Sequence, residues 1–383
     1  MKIKRVDAFA IRIPDGMHPN GDTDADEYAG YSIAKDKWTS IYSKHHETAL
    51  VRIETDDGIV GWGEGQAPVA PRVVKTIIDD LCSPVLVGAD PFDVEYLWYR
   101  LYSAMRERGH GTGFYVDALA AVDIALYDIM GKTVNKPIYH ILGGRYREKI
   151  LVYAGIGTNN PSAAAESASE HADAGYRALK LHLRSSNHDI LEIVAAARDR
   201  VGPDIELMVD IHGTRDVSAA IELGRALEAL GVRWLEAVTL AEDVHGHAEI
   251  ARALDMQVAT GEWLRTSWEW RQWIEYRAFD VAMPDIARTG LSEGKRIAAL
   301  CDAYNLPIAP HLGGGGTIAV AASIHYALAV PNFQILEHMH TAHETRSRIA
   351  KIYPSPKDGY FLPSDSPGLG VEVNEDAVIR FSI

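Results

Sequence analysis

Eight short apolar runs constrain this chain more than any other feature. They are Leu151–Ala154, Ala178–His182, Glu206–Ile211, Val232–Glu236, Gln257–Glu262, Val281–Asp285, Pro307–His311 and Phe333–Glu337. Their spacing of roughly 20–30 residues is the length of one strand-plus-helix unit. Amphipathic stretches fill the gaps, Val217 to Leu230 and Leu291 to Tyr304 among them. One more, Tyr115 to Lys132, comes before the first run. Eight strands alternating with helices predict a closed parallel barrel. An open doubly wound sheet is the alternative. It calls for a glycine-rich fingerprint after its first strand, which Gly155-Ile-Gly157-Thr-Asn-Asn160 does not complete.

The region before the runs has a different rhythm. Lys2 to Ile13 and Glu47 to Glu54 alternate as strands. Asp56-Asp57-Gly58 reads as a hairpin turn before Ile59 to Glu64. Pro14 to Ser40 is a long polar insert, the kind of loop that usually has a function. A helix follows Pro91, with Val94, Leu97, Trp98 and Leu101 on its apolar face. The tail after about Ala342 is rich in turns. A length of 383 residues suits two domains.

Charge and thiols narrow the function classes. The 53 acidic and 38 basic residues leave a net charge of −15, which argues against a nucleic-acid partner and a polybasic membrane anchor. The longest apolar stretch, near Ile318 to Val330, is too short for a membrane span and contains His325. The N-terminus lacks the apolar segment of a secretory leader, and the two cysteines, Cys82 and Cys301, are isolated. A cytoplasmic location is expected.

The chemistry lies where the strands end, because the C-terminal ends of barrel strands face the active site. Those ends carry Lys180 and His182, Asp210 and His212, Glu236, Glu262, Asp285, His311 and Glu337. Asp210, Glu236 and Glu262 come from three consecutive strands. An all-oxygen set of this kind suits Mg²⁺, the alternative being salt bridges to neighbouring lysines. Period 2 puts His212 beside Asp210, and His182 beside Lys180. Asp285 and His311 end neighbouring strands, and a carboxylate on one imidazole nitrogen makes the other a better base. Glu337 either donates a hydrogen bond when protonated or pairs with His338. A divalent metal beside such a base suits abstraction of the proton alpha to a carboxylate.

These residues, taken in order, resemble the enolase superfamily in its mandelate racemase-like branch. Gly61-Trp-Gly-Glu64, Asp123 to Lys132, Pro137 and Leu142-Gly-Gly144 resemble the stretches that lead into that family's barrel. Val-Asp210-Ile-His212, Trp-Leu-Glu236 and Thr-Gly-Glu262 match its metal-ligand positions. Pro284-Asp285, Gly290 and Glu293, then Pro310-His311 and Ser366 to Glu372, resemble its later motifs. The resemblance implies a (β/α)7β TIM-like barrel under an α+β capping domain. The cap is built from 1–114 and a returning tail, 341–383, with the barrel at 115–340. It gives the Pro14–Ser40 insert a role in choosing substrate. It also implies a homo-oligomer, dimer or octamer.

Three departures sharpen the expectation. Many relatives carry Lys-x-Lys on the second strand, whereas Lys180-Leu-His182 stands here, so His182 is assigned to substrate binding. Ala237-Val238 replaces Glu-Pro after Glu236. Asp210-Ile-His212 resembles the galactonate and mannonate dehydratases of the group. The first expectation is therefore an Mg²⁺-dependent sugar acid dehydratase, a lyase giving a 2-keto-3-deoxy acid. His311, oriented by Asp285, takes the C2 proton. His212 protonates the leaving hydroxyl, and Lys180 holds the carboxylate. A racemase, epimerase or cycloisomerase passing through the same enediolate is the alternative. A metal-free glycoside hydrolase and a non-catalytic binding protein are further ones.

Overall fold

A computed structural model describes residues 1–14, 25–28, 30–34 and 40–383. The Pro14–Ser40 insert, and the role given to it, therefore lie largely outside the described residues. The N-terminal region is an antiparallel sheet. β1 (Ile3–Pro14) pairs with β5 (His45–Thr55), which pairs in turn with β6 (Val60–Gly65). The turn at Asp56–Gly58 closes on Thr55, whose N–H donates to Ile59 O at 2.9 Å. A smaller antiparallel sheet joins β2 (Ala25–Tyr28), β3 (Tyr31–Ala34) and β4 (Ile41–Ser43). The helix forecast after Pro91 spans Val94–Arg106, and its Val94, Leu97, Trp98 and Leu101 are buried.

The second part is a curled parallel sheet. β7 (Ile150–Ile156), β8 (Ala178–His182), β9 (Glu206–Asp210), β10 (Val232–Glu236), β11 (Gln257–Thr260) and β12 (Val281–Ala282) lie side by side in chain order. β13 (Leu336–His338) pairs with β7 on the other edge. The seventh run, Pro307 to His311, forms single bridges, Ala282 to Ile308, Asp285 to His311 and Ile308 to Phe333. Those bridges carry the sheet from β12 round to the segment entering β13. Alternate residues of successive strands point inward and fill the interior: Tyr153, Met208, Trp234, Ala259, Val281, Ala309 and Ile335 form one dry cluster. No helix among the described residues is long and apolar enough to cross a membrane.

Two features lock the N-terminal sheet to the barrel. The first is the helix Phe114–Thr133, laid directly on β6. A Cβ at Gly61, Gly63 or Gly65 would sit 2.2, 1.8 or 2.4 Å from a backbone carbonyl oxygen of that helix. The close approach is open only to glycine. The second is a pair of carboxylates that cap barrel helices. Glu64 on β6 accepts from Gly316 N at 2.6 Å and Ala319 N at 2.9 Å, at the start of the helix Thr317–Ala329. Asp123 accepts from Leu291 N at 2.6 Å and Ser292 N at 3.0 Å, where the helix Ile286–Ala303 restarts after its break at Gly290. Each charge meets the positive end of a helix. Burial pushes Asp123 up to about 6, against the pull of these donors.

The tail runs back to the first sheet. Ser382 bridges Ile11, and Ile383 N donates to Ala10 O at 2.9 Å. Asp128 ties three regions at one point: it accepts from Trp62 N (2.9 Å), Leu369 N (2.9 Å) and Lys132 Nζ (2.7 Å). Asp128→Ala leaves these donors unpaired and is expected to cost about 3–5 kcal/mol, the scale for breaking a buried pair. Urea unfolding of the full chain measures it, and a loss below about 1 kcal/mol would show that water replaces the carboxylate.

Candidate active site

The strand ends bring the sequence-predicted residues together at one mouth. Lys180 on β8 is fully buried, with its ammonium 2.7 Å from Glu236 Oε1 and 2.8 Å from Glu337 Oε1. The Tyr153 ring lies under it, 5.1 Å from Nζ to the centroid. Burial opposes the charge on Lys180, but Glu236 and Glu337 outweigh it and hold its pKa well above the usual lysine value. Glu337 thus pairs with Lys180 and not with His338, whose ring turns away to Tyr176 at 2.9 Å. Burial disfavours the Glu337 charge too. Lys180, His311 and His182 reverse that and hold it below the usual carboxylate range.

Asp210 ends β9 and faces Glu236 in the β9–β10 ladder. Its Oδ2 lies 3.2 Å from His182 Nδ1 and 3.3 Å from His212 Nδ1. The two imidazoles stack, with centroids 5.6 Å apart. Period 2 alone does not produce this arrangement, because β9 stops at Asp210. His212 adopts a left-handed backbone, φ 50°, and its N–H donates to Asp210 Oδ1 at 2.8 Å. Ala237, just after Glu236, has φ 49°. Such backbone costs roughly 1 kcal/mol or more per residue and gathers at functional sites. Burial pushes His212 down to about 4, against the pull of Asp210.

Glu262 lies two residues beyond the end of β11, in a turn. Gly261 makes that turn with φ 121°, and a Cβ there would lie 2.1 Å from the Trp270 ring. The Glu262 carboxylate meets His311 Nε2 at 2.9 Å. His311 Nδ1 is 2.7 Å from Asp285 Oδ2, and its Nε2 is 3.7 Å from Glu337 Oε2. Glu337 therefore stands between two imidazoles, with His182 Nε2 4.0 Å from its other oxygen. Burial opposes charge on His311, but Glu262, Glu337 and Asp285 raise its pKa well above the ordinary imidazole value.

Several neighbours were not singled out from the sequence. Trp234 Nε1 donates to Glu236 Oε2 at 3.1 Å, a contact that period 2 along β10 could have signalled. Arg288, three residues after Asp285, donates to Glu262 O at 2.7 Å and to the side chain of Gln66. Only the tertiary structure brings Gln66 there.

The donor set fits a divalent cation. Asp210 and Glu236 offer oxygens from the ends of β9 and β10, and Glu262 from the turn just past β11. Burial above all, with Asp210 and Glu337 adding to it, pushes Glu236 up to about 8 despite Lys180, and a cation beside it would favour its charged form. Of the three carboxylates, only Asp210 belongs to a group whose ligand atoms lie within 4.8 Å of one another among the described residues, and its companions there are His182 and His212. Engaging Glu262 with a cation takes away the carboxylate that contributes most to the raised His311 pKa. Metal binding should then displace a proton from this pair, and Mg²⁺ affinity should rise with pH. Calorimetry in two buffers of different ionisation enthalpy measures the release, and equal apparent heats in both would contradict it.

Comparison with known proteins agrees with this geometry. Residues 32–143 match the mandelate racemase / muconate lactonizing enzyme N-terminal domain, and residues 163–377 match the enolase C-terminal domain-like family. The chain is 33% identical over 346 residues to the D-galactarolactone cycloisomerase of Agrobacterium fabrum, covering 87% of this chain and 90% of that one. It is 31% identical over 349 residues to the D-galactonate dehydratase of Pectobacterium atrosepticum, again covering 87% and 90%. The crystal structure of an enolase superfamily member from Agrobacterium tumefaciens superposes with a TM-score of 0.93, at 29% identity over 98% of both chains. Barrel, cap and strand-end carboxylates, together with these matches, make the chain a member of the enolase superfamily, in its mandelate racemase-like branch.

Proposed function

We propose that this protein is a lyase that dehydrates a sugar acid, an aldonate or a related compound, to a 2-keto-3-deoxy acid. One observation carries the reading. The His311–Asp285 dyad, paired at 2.7 Å, and the stacked His182–His212 pair lie on opposite sides of Glu337. A base and a hydroxyl-directed group facing each other across one carboxylate suit removal of a proton and of water from adjacent carbons.

Asp210, Glu236 and Glu262 would hold Mg²⁺. When bound, the cation neutralises the substrate carboxylate and makes the neighbouring C–H more acidic. His311 Nε2 takes the C2 proton, while Asp285 on Nδ1 fixes the ring. Lys180, expected from the sequence to hold the substrate carboxylate, is fully buried between Glu236 and Glu337, so its role here is to act through those two side chains. His212 hands a proton to the departing 3-hydroxyl, and the anionic substrate beside it raises its pKa for that step. His182 lines the substrate side of Asp210. The ligand is thus a small carboxylate, with no nucleic-acid or membrane partner. The two buried free thiols suit the cytoplasm. By analogy with the family the assembly is a homo-oligomer.

A cycloisomerase working through the same enediolate is the second reading, favoured by the 33% identical relative of that name. A panel of sugar acids and their lactones, assayed for 2-keto acids with Mg²⁺ and with chelator, separates the two. Dehydration of an open-chain acid, lost with chelator and restored by Mg²⁺, is expected. Reaction of lactones alone would replace the first reading with the second. In D₂O, His311→Asn should abolish C2 proton exchange, whereas His212→Asn should keep the exchange and lose the keto product. Loss of both in His212→Asn would remove its separate role.

A further inference from the structure

We propose that Arg288 and Gln66 form a latch through which the seating of the cap fixes Glu262. The inference rests on reading Glu262 as a metal ligand. The three carboxylates of that set are not held alike. Asp210 and Glu236 are strand residues, paired with each other in the ladder. Glu236 is also in register with Ala259. Glu262 lies past the last residue of β11, so no ladder fixes its backbone. Its carbonyl is held by Arg288 Nη1 at 2.7 Å.

Arg288 is itself positioned from the cap. Its Nε donates to Gln66 Oε1, and its backbone N–H donates to Asp285 O at 3.0 Å. It forms no ion pair among the described residues. One rigid guanidinium fork therefore spans two neutral oxygens, one on the cap and one on the turn that carries Glu262. Gln66 is the first residue past β6, only 2% exposed, and its N–H donates to Ala287 O at 2.9 Å. The loop after His311 closes on it: a Cβ on Gly314 would lie 2.5 Å from Gln66 Nε2. Moving the end of β6 moves Gln66, then Arg288, then the Glu262 backbone. Arg288 and Gln66 are positioning residues, and their output is the affinity of the carboxylate set for a cation.

The test is Mn²⁺ binding to the full chain without substrate, followed by electron paramagnetic resonance, so that it does not depend on which sugar acid reacts. Gln66→Leu removes the acceptor, and Arg288→Lys removes the fork but keeps the charge. Each should weaken Mn²⁺ binding roughly tenfold or more, the usual effect of losing a group that orients a ligand. The double variant should be no worse than the weaker single one. Gln66→Glu keeps an acceptor oxygen and should retain the wild-type affinity. Circular dichroism checks that each variant folds, and if Gln66→Leu does not fold, Arg288→Lys decides. Wild-type affinity in the folded variants would overturn the latch alone. Failure of the wild-type protein to bind Mn²⁺ would overturn the metal centre and the latch with it.

Discussion

The site depends on one buried cation. Asp210, Glu236, Glu262, Asp285 and Glu337 all lie at one end of the barrel, and such a collection of carboxylates repels itself in a low dielectric. Lys180 answers two of them directly, with 2.7 and 2.8 Å contacts and no solvent exposure. An ammonium buried without partners costs several kcal/mol, so Lys180 and its two glutamates are stable only as a set. The set closes the barrel core beneath the site, because Tyr153 and Trp234, which touch Lys180 and Glu236, belong to the dry interior cluster.

Above that layer the imidazoles pair with the carboxylates that Lys180 does not reach. His182 and His212 attend Asp210, and His311 attends Asp285 and Glu262. Glu337 lies between the two groups and is held from below by Lys180. This row of side chains is therefore one electrostatic unit that spans the barrel from β8 to β13. A change at any member alters the proton affinity of its neighbours.

The cap is built into this unit and does more than cover it. Glu64 and Asp123 cap the helices that follow His311 and Asp285, so carboxylates from outside the strand ends steady the two segments that carry the dyad. The three glycines of β6 let the helix Phe114–Thr133 come close enough for Asp123 to reach its partners. The Gly-Trp-Gly-Glu motif serves both demands: its glycines admit the helix, and its glutamate caps the next one.

Much of this was legible in the sequence. The run Val232–Glu236 gives β10 residue for residue, because a buried parallel strand is a short apolar segment ending at the site. The eightfold alternation gave the barrel, and the ionisable strand ends gave the row of site residues. What the sequence could not show is how far each strand runs. Gln257–Glu262 reads as one strand, but pairing stops at Thr260, and Pro307–His311 survives only as single bridges. Strand length depends on partners far away in the chain, whereas periodicity reports only on near neighbours. The chain alone determined which side chains are candidates for the barrel mouth, since each ionisable residue follows its apolar run directly in the sequence. Which carboxylate Lys180 answers, where Glu337 turns, and that Arg288 and Gln66 hold Glu262 were decided by tertiary structure, because contacts across 222 residues are set by packing.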